Sequence, residues 1–194
     1  VMNLSRLLRW DFDIFTEVIS SNNEPVKSEE GIWVLPQKTT DEFHTDNYSC
    51  LILPGCSDFT EVFKDKKIFD FLGSFNGNNN FPIGAICSGP MLLARAGILK
   101  GKKFTASIFM DFFDFCPFLE KDNFVTAPVV VSGNVVTAGG SNFNGFAVTM
   151  AHLLGLECPD RIFSGYMDSW TPEDYEQYLP PEAVEETKAM FCDL

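Results

Sequence analysis

Phe81-Pro-Ile-Gly-Ala-Ile-Cys87-Ser-Gly-Pro-Met-Leu-Leu-Ala-Arg-Ala-Gly-Ile-Leu99 passes from a continuous apolar run, across one cysteine, into a helical pattern. The run 81–86 reads as the central strand of a sheet, buried on both faces, and Cys87 ends it. Met91, Leu92, Ala94 and Leu99 then fall at helical spacing, with Gly97 as the stop signal. Ala85 lies two positions before the cysteine and Gly89 two after it, the arrangement of a nucleophile elbow with cysteine in place of serine. Small neighbours let a strand turn abruptly into a helix. The nucleophile then projects, often in an uncommon backbone conformation, and the free N–H groups of the helix start point at it. That placement favours the thiolate. Cys87 is therefore read as reactive rather than as a buried cysteine closing a core strand.

Working outward, Ser49-Cys-Leu-Ile-Leu-Pro54-Gly55 is a second apolar strand, stopped by Pro-Gly. A helix is expected over 59–72 and a polar surface loop over 73–80. The chain opens on Leu4, Leu7 and Leu8, which predict an amphipathic helix to about Trp10, and residues 13–20 and 31–36 read as extended. Downstream, 103–107 reads as a strand, and Ser132-Gly133-Asn134 separates strands over 124–131 and 135–138 as a hairpin turn. Gly139-Gly140-Ser141-Asn142-Phe143-Asn144-Gly145 leads into a helix through Leu154, where Asn142 and Asn144 are expected to cap. Strands alternating with helices predict a flavodoxin-like α/β fold: a doubly wound, mostly parallel sheet in a three-layer sandwich, as one domain over 1–194. Sites in such sheets lie beyond the carboxyl ends of the strands, where Pro54-Gly55-Cys56, Cys87 and Gly139-Gly140 converge.

The 194 residues carry 27 acidic and 14 basic side chains, a formal charge of −13. That balance disfavours nucleic acid and anionic membranes as partners. No apolar run approaches the roughly 20 residues of a membrane span, and the start has no signal-peptide core, so a cytoplasmic location is expected. Cys50, Cys56, Cys87, Cys116, Cys158 and Cys192 form neither a disulfide scaffold nor a CxxC pair. His44 and His152 lie at no ligand spacing, so no metal is expected, and no organic cofactor. The aromatic run 109–115 reads as core or pocket wall. The acidic tail 172–194 reads as a solvated helix whose apolar positions Ala183, Ala189, Met190 and Phe191 suit a dimer face.

The stretch from Ala85 to Leu99 resembles the elbow and helix of the ThiJ/PfpI superfamily, related to class I glutamine amidotransferases. Leu51-Ile-Leu-Pro-Gly55 is similar to that family's strand and glycine loop, 103–107 to its next strand, and Val136-Thr-Ala-Gly-Gly140 to its last active-site loop. The resemblance runs from about residue 13 to 154. It implies a flavodoxin-like fold and any of several cysteine chemistries: peptidases and amidases, glyoxal-processing and chaperone-like proteins, isonitrile hydratases and oxidation sensors.

Three departures narrow those expectations. Many members carry a histidine either directly after the cysteine or at the end of the next strand, where this chain has Ser88 and Ser107, so a Cys-His dyad is missing and ordinary peptidase chemistry is disfavoured. His152 and His44 are read as surface or core histidines rather than general bases. The family's acid after the first strand would fall just before Val1, so the chain is expected to lack that strand and acid at its N-terminus, whether the segment is missing or something else fills its place. Finally, Pro54-Gly55-Cys56 stands where relatives have Pro-Gly-Gly. Its backbone N–H is still expected to serve the oxyanion role that the resemblance implies, while the Cys56 thiol either packs under its loop or acts as a resolving thiol toward Cys87.

The resulting expectation is a hydrolase-like protein in which Cys87 attacks a small electrophilic substrate, of amidase, hydratase or glyoxalase type. Gly55, Cys56 and Ser88 N–H groups stabilise the anion, Ser107 lines the pocket, and an acid outside the chain handles the proton. The alternatives are a non-catalytic cysteine redox sensor or stress-response protein, whose partner is an oxidant, and a degenerate family member acting as a binding module. A homodimer is expected on general grounds.

Overall fold

Ile83, Gly84, Ala85 and Ile86 are all buried and form β6 (Ile83–Ile86), an inner strand of the main sheet in the computed structural model. The structure describes residues 1–163, 171, 173, 176 and 178–189. These belong to two compact units, 1–160 and 161–194.

In the first unit, β5 (Leu51–Leu53) and β8 (Val135–Ala138) run parallel to β6 on either side, and β7 (Val129–Ser132) pairs antiparallel with β8, giving the order β5-β6-β8-β7. Short pairings stand apart from this sheet: β1 (Ile19–Ser20) runs parallel to β4 (Lys38–Thr39), and β2 (Val26–Lys27) forms a hairpin with β3 (Trp33–Val34).

Side-chain alternation sorts the sheet into two buried faces. Leu51, Leu53, Ile83, Ala85 and Val135 join one apolar cluster with residues of α2 (Lys66–Gly73) and α3 (Pro90–Arg95). Gly84 faces the opposite way, toward Phe146 and Met150 of α5 (Phe143–Leu153). Helix α1 (Met2–Phe12) buries Leu4, Leu7 and Leu8 and packs on α5, where Asn3 Nδ2 donates to Asn144 Oδ1 at 2.6 Å. The layers are thus α1/α5, sheet, α2/α3, as the flavodoxin-like expectation requires. Among the described residues no helix is long and apolar enough to cross a membrane.

Several expected boundaries move, each for a local reason. The extended reading of 13–20 shrinks to β1, because α1 runs on to Phe12 and Asp13 closes it in the left-handed region (φ 54°) while pairing with Arg9. The helix expected over 59–72 breaks at Asp65, whose carboxylate caps α2 by accepting from Ile68 N–H at 3.2 Å; a separate 3-10 turn, Val62–Lys64, precedes it. The strand expected over 124–131 begins only at Val129. The expected apolar stripe of the tail is described only in part, since Met190, Phe191 and the side chain of Ala189 lie outside the described residues. There, α6 (Val184–Ala189) follows a 3-10 turn at Pro181–Ala183.

The segment 103–107, expected as a strand, joins no ladder beyond a single parallel bridge between Phe104 and Phe124. Two side-chain bonds and one backbone bond hold it instead. Thr105 N–H donates to Thr137 Oγ1 at 3.0 Å, Thr105 Oγ1 donates to Ala127 C=O at 2.9 Å, and Ser107 N–H donates to Cys87 C=O at 2.8 Å. Thr105 and Thr137 are 3% and 1% exposed, so water cannot replace a lost partner. Thr137→Val, nearly isosteric, is expected to cost about 1–3 kcal/mol by stranding the Thr105 N–H. A chemical-denaturation midpoint checks this, and Thr137→Ser, which keeps the acceptor, should recover most of the loss.

Candidate active site

Cys87 sits between β6 and α3 with φ +62°, one of two non-glycine residues in the left-handed region among those described. A non-glycine residue there costs roughly 1–2 kcal/mol, so surrounding bonds must hold it. Cys87 N–H donates to Ala138 C=O at 2.9 Å, and its own C=O accepts from Ser107 N–H at 2.8 Å. The elbow is therefore clamped to the end of β8 on one side and to 103–107 on the other.

The glycines around it leave no room for side chains. A Cβ on Gly55 would fall 2.7 Å from Ser88 N, 2.7 Å from Ser88 Oγ and 2.8 Å from Cys87 Cβ. A Cβ on Gly140 would fall 3.1 Å from Cys87 Sγ. The thiol thus lies between the β5 loop and the β8 loop, and the three loops expected to converge do so. Gly140 N–H donates to Ser107 Oγ at 2.8 Å, so Ser107 fixes the loop that backs the thiol.

Ser88 stands directly after the cysteine. Its buried hydroxyl accepts from Cys56 N–H at 2.8 Å and donates to Cys56 C=O at 2.6 Å. The Cys56 N–H, expected to face the oxyanion, is bonded to Ser88 Oγ in this structure. The N–H groups of Gly55 and Ser88 have no acceptor among the described residues.

Asn142 stands at the N-cap of α5 but makes no side-chain cap bond, and Asn144 bonds to Asn3, so the expected capping by these two side chains does not occur. His44 is exposed in the 40–46 segment and lines an open recess of about 480 Å3 with Asp41, Asp46, Lys67 and Asp70, to which no elbow residue contributes. His152 is exposed, its Nε2 3.0 Å from Cys158 C=O. Neither histidine reaches Cys87. Of the aromatic run, Phe112 and Phe113 pack on the core, while Phe109, Met110 and Phe115 are exposed. Among the described residues no three His, Cys, Asp or Glu side chains form a metal-holding group.

One residue was invisible to sequence reading. Glu29, in the turn between β2 and β3, accepts hydrogen bonds from Ser57 N–H and, at 2.6 Å, from Ser57 Oγ. Those bonds, the hydroxyl's first, hold its carboxyl below the ordinary glutamate range. Cys56 is pushed above the ordinary thiol value by burial, then by the charges of Glu29, Asp58 and Cys87. Ser28-Glu29-Glu30-Gly31 reads locally as a solvated turn, and nothing in it announces a partner 28 residues away.

The other thiols are held protonated. Burial pushes Cys50 up to about 11 and raises Cys116; burial, followed by Asp11 and Asp160, raises Cys158. Cys192 lies outside the described residues. At pH 8, Cys50 is expected to alkylate at least 10-fold more slowly than a free thiol of pKa about 8.5, and Cys116 and Cys158 more slowly than that free thiol, as cysteine-resolved peptide mass spectrometry would record.

With this geometry in view, the relatives are informative. The DJ-1/PfpI family model matches residues 1–152. The chain belongs to the DJ-1/PfpI family. An uncharacterized protein of Methanocaldococcus jannaschii is 31% identical over 144 residues, 73% of this chain and 65% of that protein. The isonitrile hydratase of Pseudomonas putida is 27% identical over 152 residues, 77% of this chain and 64% of the hydratase. The chain therefore spans just under two thirds of the length of these relatives. A DJ-1 superfamily protein of Agrobacterium tumefaciens, Atu0886, superposes with a TM-score of 0.69 at 20% identity, covering 99% of this chain and 90% of that one. In this DJ-1/PfpI chain, Ser88 and Ser107 are structural clamps: one fastens Cys56, the other fastens Gly140.

Proposed function

We propose that the protein is a DJ-1/PfpI enzyme in which Cys87 adds to a small electrophilic carbon, of the carbonyl, amide or isonitrile kind. The carrying observation is the clamped, left-handed Cys87, with its Sγ against Gly140 and its Cβ against Gly55. The thiolate attacks the carbon, and the Ser88 and Gly55 N–H groups stabilise the negative charge that develops on the substrate heteroatom. The resemblance to an isonitrile hydratase supports an electrophilic carbon as target.

The test has two parts. Alkylation of the reduced protein, resolved cysteine by cysteine, is expected to show Cys87 labelling first. A panel of alkyl isonitriles, 1,2-dicarbonyls and small amides should then yield a substrate turned over by the wild type and not by Cys87→Ala. Labelling of Cys87 only on unfolding would sink the reading.

A further inference from the structure

Cys56 is the second thiol at the elbow, and the scheme above makes no use of it. Its backbone is tied at both its N–H and its C=O to Ser88, the residue next to Cys87. The β5–β6 ladder ends at the Leu53–Ala85 pair, and just beyond it a Cβ on Gly55 would fall 2.8 Å from Cys87 Cβ. Cys56 is the next residue after that contact, so the two thiols stand on adjoining loops at the same end of the sheet. Both side chains are half-buried free thiols.

We propose that Cys56 is the resolving thiol of this site: when a peroxide oxidises Cys87, Cys56 captures the product as a Cys56–Cys87 disulfide. The inference rests on the reading of Cys87 as the reactive thiol. In the first step Cys87 gives up its proton and the thiolate attacks the peroxide, an S–O bond forms, the O–O bond breaks, and the departing hydroxide or alkoxide takes up that proton to leave as water or an alcohol. Sulfur is thereby oxidised by two electrons to a sulfenic acid, and the peroxide is reduced. In the second, the Cys56 sulfur attacks the sulfenic sulfur, the S–S bond forms, the S–O bond breaks, and the departing hydroxide takes up the proton that Cys56 released, leaving as water. A small dithiol reverses the bond. The disulfide occupies the nucleophile, so peroxide switches the site off reversibly and diverts Cys87 from sulfinic acid.

Charge sets the speed of capture. Burial and the charges of Glu29 and Asp58 disfavour the Cys56 thiolate. Capture therefore accelerates as pH rises. Glu29→Gln removes one of those charges while keeping an acceptor for Ser57, and is expected to speed disulfide formation at pH 7.

The experiment treats the reduced full chain with a several-fold excess of hydrogen peroxide, quenches with iodoacetamide and analyses peptides without reduction. The wild type is expected to yield a linked Cys56–Cys87 peptide, and Cys56→Ala to yield Cys87 sulfinic acid instead. The bonds from Ser88 go to the backbone of residue 56, so they survive that substitution, and a thermal melt confirms the fold. Wild-type Cys87 recovered as sulfinic acid with Cys56 alkylated would overturn the resolving role while leaving the reactive cysteine standing. Cys87 recovered unoxidised, and alkylated no faster than Cys50 or Cys116, would overturn both.

Discussion

Gly89→Ala is expected to be the most damaging single substitution at the site, costing roughly 3 kcal/mol or more. An added Cβ there would lie 2.7 Å from Pro54 C=O, 2.9 Å from Leu53 C=O and 3.0 Å from Ile86 C=O. All three atoms are backbone oxygens at the ends of β5 and β6, so no rotamer change relieves the clash. Relief requires the two strand ends to part or α3 to move, and either displaces Cys87. For a chain of this size the cost corresponds to a fall in melting temperature of about 6–12 °C. Gly84→Ala is the control. Its Cβ would meet Ile52 Cδ1, Met150 Sδ and Phe146 Cζ, each at 2.8 Å, which are ends of side chains that can rotate. It should cost distinctly less and leave Cys87 alkylation unchanged. Equal losses for the two glycines would mean that the elbow is not held by the approach of Gly89 to the strand ends.

Removing the thiol should abolish chemistry and separate it from strain. Cys87→Ala is expected to lower turnover of any substrate found by about 10³-fold or more, since the neighbouring thiol, Cys56, is disfavoured as a thiolate by burial and nearby charge. Alanine keeps a Cβ at φ +62° and therefore keeps the backbone strain. Cys87→Gly removes it. The glycine variant is accordingly expected to be more stable than the alanine variant by about 1 kcal/mol, although glycine is ordinarily the less stabilising residue. Denaturant unfolding of the pair measures the difference directly. An alanine variant as stable as the glycine one would mean that the elbow is relaxed.

Cys87 and the strand and helix around it were legible because their signals are local: an apolar run, small residues at fixed offsets, and a helical pattern after proline. The same holds for Leu51 to Gly55 and for the 132–134 turn, where Gly133 adopts φ +62°. The helix over 59–72 was misread because the apolar spacing continues through Asp65, while the carboxylate of Asp65 offers the chain a cap and a new start. The segment 103–107 has the composition of a strand, but its bonds go to side chains on β8 and to the elbow rather than to a ladder.

The sequence by itself determined the alternation of strands and helices, the tight turn around Cys87 and the glycine turns after β5 and β8, because each rests on residues close along the chain. Only the tertiary structure decided what Ser88, Ser107, Cys56 and Glu29 do. Ser88 holds Cys56 across 32 residues, Ser107 holds Gly140 across 33, and Glu29 holds Ser57 across 28. A hydroxyl or carboxylate carries no mark of its distant partner, since one short polar side chain suits a solvated turn, a cap or a buried clamp equally well. What selects among these is which strand ends the sheet brings side by side.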